Sequence, residues 1–204
     1  MSEETENKKN NNKLTIILFI ALFASPLFLS WYVFNYTDYL EMRGMSNKGD
    51  LIDPARPLGD LALIDPLNEE REDSLHGKWS LAYVATTCDK QCMDNVYRMR
   101  QIHVSMDKHS LRVQKVLFLT EQNANELKEL LVEFKGQQVI DAASIDAGTL
   151  LEKFRLNDAD NPLEAERLYI IDPLGNLMMN YQPDANPRDI YKDLKKLLRG
   201  SRIG

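Results

Sequence analysis

Cysteine, glycine, proline and positive charge are all scarce in this chain. Its 204 residues hold 2 cysteines, 9 glycines and 8 prolines. Two cysteines cannot build a disulfide-dense scaffold, and so little glycine and proline excludes collagen-like and low-complexity chains. Lys and Arg number 25 against 31 Asp and Glu, a net charge of −6. A chain of that sign offers no electrostatic footprint for a phosphate backbone, so no nucleic-acid partner is expected. There is no G-x-G-x-x-G, no phosphate loop, and no Ser/His/Asp arrangement. What is present is 44% hydrophobic and 27% charged, enough for one globular domain and an additional segment.

That additional segment lies near the N-terminus. Leu14 to Tyr36 (LTIILFIALFASPLFLSWYVFNY) carries no charge, and about 20 apolar residues at 1.5 Å each suffice for a helix to span a membrane. Trp31, Tyr32, Tyr36 and Tyr39 collect at its far end, as an aromatic belt does at the lipid–water boundary. Pro26 is tolerable in a membrane helix. A cleaved signal peptide would have a shorter apolar core and small residues at −3 and −1. Here Ala24 suits −1, but Leu22 does not suit −3 and the apolar run continues. The segment therefore reads as an uncleaved anchor. Lys8, Lys9 and Lys13 precede it, and Arg43 and Lys48 follow. The positive-inside rule then places the N-terminus in the cytoplasm. The tail balances Glu3, Glu4 and Glu6 against its three lysines, so the whole −6 belongs to the part beyond the anchor. The leader lacks the Arg-rich, acid-poor character of a transit peptide, which favours a bacterial inner membrane with the C-terminal domain in the periplasm.

The resulting organisation is a cytoplasmic tail over 1–13, a transmembrane helix over 14–36, a linker over 37–58 and an α/β domain over 59–204. Gly44, Gly49, Pro54 and Pro57 interrupt every period in the linker. Beyond it, Leu61–Asp65, Ser80–Thr86 and Val113–Thr120 read as strands, the last two apolar enough to be buried on both faces. A helical spacing runs from Cys92 to about Asp107. Asn123 with Glu126 forms a plausible cap for a helix with Leu127, Leu130, Leu131 and Phe134 on one face. A short strand is expected at Val139–Ala142. Asp146 caps a helix bearing Leu150, Leu151 and Phe154. Arg167–Asp172 and Leu177–Tyr181 flank a turn at Pro173–Asn176 and predict a hairpin. Asn186 caps a last helix with Pro187 at its first position. Helices between apolar strands predict crossovers and a largely parallel sheet, with the closing hairpin antiparallel.

The two cysteines, Cys88 and Cys92, lie in TTCDKQC at the end of a buried strand. Open α/β sheets present their functional loops at the carboxyl ends of strands. With a helix starting at or just after Cys88, positions i and i+4 lie about 5–6 Å apart on one face, within the Cα range of a disulfide. A helix N-terminus would favour the thiolate of Cys88, the cysteine nearer the strand end and the expected attacking thiol. Thiolates are also the soft ligands that Cu(I) selects. A structural disulfide or two buried free thiols are the alternatives, but a loop this short constrains the unfolded chain very little. The pair is therefore the candidate redox site and the candidate metal site.

The run K-W-S-L-x-Y-x-x-T-x-C-x-x-x-C, then V-L-F-L-T, then L-Y-I-I-D-P-x-G-x-L resembles the Sco/SenC family. Its members are membrane-anchored, thioredoxin-fold proteins that assist copper insertion into cytochrome c oxidase. The resemblance spans roughly Leu58 to Leu198, together with the anchor. It implies an α/β, thioredoxin-like fold with a central mixed sheet over 59–204, preceded by one transmembrane helix. It also implies Cys88 and Cys92 as redox-active residues and ligands of transient Cu(I). The implied partners are the copper-bearing subunit of the oxidase or other copper-assembly proteins. Ordinary thioredoxins space their pair by two residues, not three, and a peroxiredoxin would have Thr where this chain has Ala85.

The family's third copper ligand is a histidine nine positions before the proline of the D-P turn. Counting back from Pro173 gives Glu164, and NPLEAERLYIIDP contains no histidine. A carboxylate is a hard ligand, a poor replacement for imidazole on Cu(I), and Glu164 reads as a solvated loop residue. Two thiolates alone favour Cu(I) over Cu(II), so Cys88 and Cys92 are expected to hold the monovalent ion by themselves. Function classes beside oxidase assembly are a general envelope thiol–disulfide oxidoreductase and a non-catalytic scaffold of the assembly machinery.

Other residues read as structural. His76 and His109 fall in loops, and His103 sits roughly 16 Å down the helix from Cys92 at 1.5 Å per residue. Met93, Met99 and Met106 have helical spacing and read as core. Of Met178 and Met179, at most one faces the interior. Asn157–Asn161 resembles part of a calcium loop without its Gly and Glu, and reads as a turn.

Overall fold

The computed structural model describes residues 3–36, 47–68, 72–121, 127–140 and 146–201, divided into two compact units at Asn47 and Lys48. The first unit is a single helix, α1 (Glu3–Tyr36), with Pro26 inside it. It runs back from the apolar segment into the charged tail. Its stretch Thr15–Val33 is long and apolar enough to cross a membrane, and Ile17, Phe19, Phe23, Leu27 and Trp31 along it are exposed. Polar side chains here bond to the helix's own carbonyls: Ser25 Oγ donates to Leu22 O and Asn35 Nδ2 to Trp31 O. That is how such groups are satisfied where water is absent. Tyr39, Arg43 and the rest of 37–46, the first part of the expected linker, lie outside the described residues.

The second unit is a thioredoxin-like α/β domain built on one eight-stranded mixed sheet. Its strands are β1 (Asp50–Pro57), β2 (Ala62–Ile64), β3 (Glu72–Ser74), β4 (Trp79–Ala85), β5 (Val113–Leu119), β6 (Gln137–Ile140), β7 (Leu168–Ile171) and β8 (Asn176–Tyr181). Its helices are α2 (Lys90–Ser105), a single turn α3 (Lys128–Leu131), α4 (Ala147–Phe154) and α5 (Pro187–Gly200), with a 3-10 turn at Asp107–Arg112. The strand order is β1-β8-β7-β4-β5-β6-β2-β3.

Several boundaries differ from the sequence reading. The linker ends earlier, because Asp50–Pro57 is an edge strand pairing antiparallel with β8. Pro54 and Pro57 are breakers in a central strand, but an edge strand tolerates them, here with a register irregularity between Leu51 and Arg56. The β3 strand was not anticipated. The β6 strand sits two residues earlier than expected, with 141–145 outside the described residues. The Asn123/Glu126 cap also falls outside them, and the helix beyond it is one turn. Parallel pairing is confined to β4–β5 and β5–β6, while β7 returns antiparallel beside β4. The sheet is therefore mixed and not largely parallel: the segment after α4 brings the chain back to the opposite side of β4 from β5.

Helices cover both faces. Leu81, Tyr83, Val96, Met99, Leu117, Ile190 and Leu194 pack into one cluster between the sheet and α2 with α5. Ala82, Val84, Val116, Phe118, Leu150 and Phe154 form the other, beneath α4. Alternate residues of β4 point to opposite clusters and all seven are buried, the pattern of a strand covered on both sides. The expected caps are present: Asp146 accepts from Gly148 N and Asn186 from Arg188 N. Asp193 of α5, buried, accepts from Lys48 N, Gly49 N and Tyr181 Oη, fastening the domain's first residues to its last helix.

Candidate functional site

Cys88 and Cys92 form a disulfide, with their Cα atoms 4.9 Å apart. The pair stands where β4 gives way to α2. The chain leaving β4 is tied to the end of β5, since Thr120 N donates to Ala85 O and Glu121 N to Thr86 O. The helix begins only at Lys90, two residues after Cys88, with Asp89 as its N-cap. Asp89 Oδ1 accepts from Cys92 N at 3.0 Å. The geometry differs from the expected i, i+4 pair on one helical face. Cys88 lies outside the helix, and its partner's amide is already engaged by the Asp89 carboxylate.

The two sulfurs have unequal surroundings. Cys92 is fully buried (0% exposed) and Cys88 nearly so (8%). Cys88 is the more accessible of the two. The thioether of Met93 lies against it, with Sδ 3.7 Å from Cys88 Sγ. Met99 and Met106 are core residues, 0% and 3% exposed, but Met93 is only half-buried at the rim. All three helical methionines thus pack on the core, Met93 at its partly exposed edge.

Beneath the pair, Tyr83 of β4 faces the same cluster. Burial raises the pKa of its hydroxyl; the hydrogen bond with Asn95 opposes this, and the charges of Glu166 and Asp89 reinforce it. Asn95 Oδ1 accepts from Arg98, whose guanidinium also donates to Pro183 O and Ala185 O. Sequence reasoning missed Tyr83, Asn95 and Glu166. The only available signal was the inward register of Tyr83, two residues before Ala85.

Glu164 is exposed. Among the described residues, no group of three His, Cys, Asp or Glu side chains is placed to hold a metal ion. The loop before β7 is fastened by a close ion pair in which Arg167 binds both carboxylate oxygens of Asp160 at 2.8 Å. The hydrogen bond to Arg167 is the main cause holding the Asp160 carboxyl below its ordinary pKa. Within that loop Glu166 takes a left-handed backbone, φ +50°, and its charge, not that of Glu164, is felt at Tyr83.

The remaining candidates lie elsewhere. His76 Nδ1 is 3.2 Å from Ser74 Oγ and 3.4 Å from Asp60. His103 Nε2 is held between Ser110 O and Val113 O, and His109 lies in the 3-10 turn. Met179 is buried, while Met178 is partly exposed. In 157–161, Asn157 and Asn161 accept from Ala159 N and Leu163 N, so the segment is a turn held by its own backbone. A cleft of about 510 Å³ lined by Gln101, Ile102, Ser105, Pro187, Arg188, Tyr191 and Lys192 opens between α2 and α5, and neither cysteine lines it.

Residues 79–201 match the protein family described as transmembrane-like, thioredoxin-like, C-terminal domain. The fold is shared with solved Sco structures. Yeast Sco1 with copper bound is 16% identical, at a TM-score of 0.57, covering 74% of this chain and 96% of that one. Arabidopsis thaliana ScoI with copper bound is 16% identical, at a TM-score of 0.54, covering 70% of this chain and 98% of its own. BsSco, a member of the Sco family of cytochrome c oxidase assembly proteins in which a disulfide switch was identified, is 15% identical, at a TM-score of 0.54, with coverages of 75% and 98%. No curated protein matches the sequence.

Proposed function

We propose, from the premise that the chain belongs to the transmembrane-like, thioredoxin-like family, that it is a membrane-anchored Sco-like protein serving cytochrome c oxidase assembly. It acts by thiol–disulfide exchange and transient Cu(I) handling at Cys88 and Cys92. The observation that carries this reading is the asymmetric cysteine pair at the β4–α2 junction, Cys88 just outside the helix and slightly more accessible than the fully buried Cys92. Solved proteins of the same fold include copper-bound Sco structures and one with a disulfide switch.

The chemistry follows from the asymmetry. In the reduced state the Cys88 thiolate attacks a client disulfide, forming a mixed disulfide and releasing one client thiolate. Cys92, held beside it, then attacks Cys88 Sγ, closes the intramolecular disulfide and releases the second client thiolate. Two electrons pass to the client, and the two protons given up by the pair balance those taken up by the client thiols. A dithiol reductant of the envelope resets the pair. The donor set also fits copper as cargo: both cysteines are soft, and Cu(I) prefers soft sulfur to the hard carboxylate of Glu164. The partner is the copper-bearing subunit of the oxidase or another copper-assembly protein. The site rests on a surface loop, outside the α2–α5 cleft, and that suits a protein client better than a small molecule.

A Cys88→Ala strain tests the reading. Oxidase copper content is expected to fall while the protein itself still accumulates. Normal oxidase copper with disturbed envelope thiol status would replace this function with general thiol–disulfide exchange. If both stay normal, the scaffold reading stands. Alkylation of the full chain across glutathione ratios is expected to give a reversible transition. A pair that stays oxidised below about −300 mV would mark a structural disulfide and remove the exchange chemistry.

A further inference from the structure

We infer that Met93 supplies a third sulfur ligand, so that the reduced Cys88 and Cys92 with the Met93 thioether form an all-sulfur site for Cu(I). The inference deepens the copper-handling reading above and rests on it. Met93 Sδ already lies 3.7 Å from Cys88 Sγ. Three sulfurs in a trigonal plane around one ion, at the roughly 2.3 Å typical of metal–sulfur bonds, stand about 4 Å from one another. The Cys88–Met93 edge of such a triangle therefore exists before any ion arrives. The Cys88–Cys92 edge opens when the disulfide is reduced, and with Cα atoms 4.9 Å apart the two sulfurs separate to that distance by side-chain rotation.

Met93 packs against the core cluster but, unlike the other methionines of this region, is partly exposed. Met99 and Met106, on the same helix, are buried to 0% and 3% exposure. Met93 is the partly exposed member of the three, so an ion can enter and leave past its thioether. Chemically, a thioether resembles an imidazole in the respect that matters for charge: it is neutral, so two thiolates, one thioether and Cu(I) sum to a single negative charge. It is softer than imidazole, and so favours the monovalent ion further over Cu(II). Glu164 and Asp89 offer only hard oxygen. Loading displaces the two thiol protons and moves no electron. The chain thus replaces the expected two-sulfur site with a three-sulfur one, without a histidine.

The test uses the reduced full chain in detergent, with Cu(I) alone titrated against a chromophoric Cu(I) chelator, and X-ray absorption at the copper edge to count sulfur neighbours. Wild type is expected to give three sulfurs. M93L is expected to give two, with affinity roughly tenfold to a hundredfold weaker, the usual scale for losing a metal-site partner. Re-formation of the Cys88–Cys92 disulfide and an unchanged circular dichroism spectrum establish that M93L is folded. Two sulfurs in wild type, with M93L binding equally well, would overturn the inference and leave copper handling by the cysteine pair intact. Failure of wild type to hold Cu(I) against the chelator would overturn both, leaving thiol exchange as the chemistry of the pair.

Discussion

Half-buried His103 couples the stability of the fold to pH in a predictable direction. It projects from α2 so that Nε2 lies 3.1 Å from Ser110 O and 3.0 Å from Val113 O, joining the helix to the start of β5. Burial is the largest influence on its pKa and lowers it below 6.5, with Lys115 acting in the same direction and the two carbonyls opposing. The neutral form is therefore the folded form. Below about pH 6.5 the unfolded chain binds a proton that the folded chain refuses. The contribution of His103 is complete above that pH and is lost as pH falls through the lower folded value. The urea midpoint of the full chain, followed by near-ultraviolet circular dichroism, should drop between pH 7 and pH 5. H103Q keeps a donor for the carbonyls and should show a flatter profile over that window. Identical slopes in the two proteins would assign the pH dependence to other groups.

Among the secondary-structure elements, the junction of β4, the cysteine loop and α2 holds the cysteine pair, and Asp89 caps the helix there. Its carboxylate caps α2 through Cys92 N, contributing about 1 kcal/mol as such caps do. It also places a negative charge next to Cys88 in sequence, and a like charge disfavours the thiolate. D89N retains a capping acceptor and removes the charge, so in the reduced protein the alkylation rate of Cys88 should rise severalfold at neutral pH, its pH profile moving to lower pH. D89A should lose about 1 kcal/mol of stability as well. An unshifted alkylation profile in D89N would mean that the carboxylate does not govern the thiol. Much of this junction was legible in the sequence. The uninterrupted apolar run of β4 announced a doubly covered strand, and the cysteines stood at its end. The helix start was less legible, because a run such as CDKQC does not say which residue caps. Met93 was hidden by helical geometry. Cys92, Val96, Met99 and Ile102 face the core, and a residue one position along the helix, about 100° round, falls at the edge of that stripe, where only the packed loop decides what it touches. The β1 strand was obscured for another reason: prolines that would break a central strand are harmless on an edge.

For the whole molecule, the decisive question is where the domain sits relative to the membrane. The helical stretch Thr15–Val33 carries no charged residue, and the charge asymmetry around it is modest. Lys8, Lys9 and Lys13 stand on one side, partly offset by Glu3, Glu4 and Glu6, with Arg43 and Lys48 on the other. The positive-inside rule weighs basic residues far more than acidic ones, so the acids do not cancel the lysines and the N-terminus is predicted to stay in the cytoplasm. A domain held outside by a short segment then meets membrane-bound clients at a high effective concentration without needing strong affinity of its own. The topology is tested by adding protease to spheroplasts of a bacterium expressing the chain with tags at both ends. The C-terminal tag should be lost without lysis, while the N-terminal tag survives on a fragment carrying the helix. Protection of the C-terminal tag until lysis would reverse the orientation and remove the periplasmic client. Loss of membrane association after secretion would instead identify the apolar segment as a cleaved signal and the mature domain as free, and the gain in effective concentration would vanish with it.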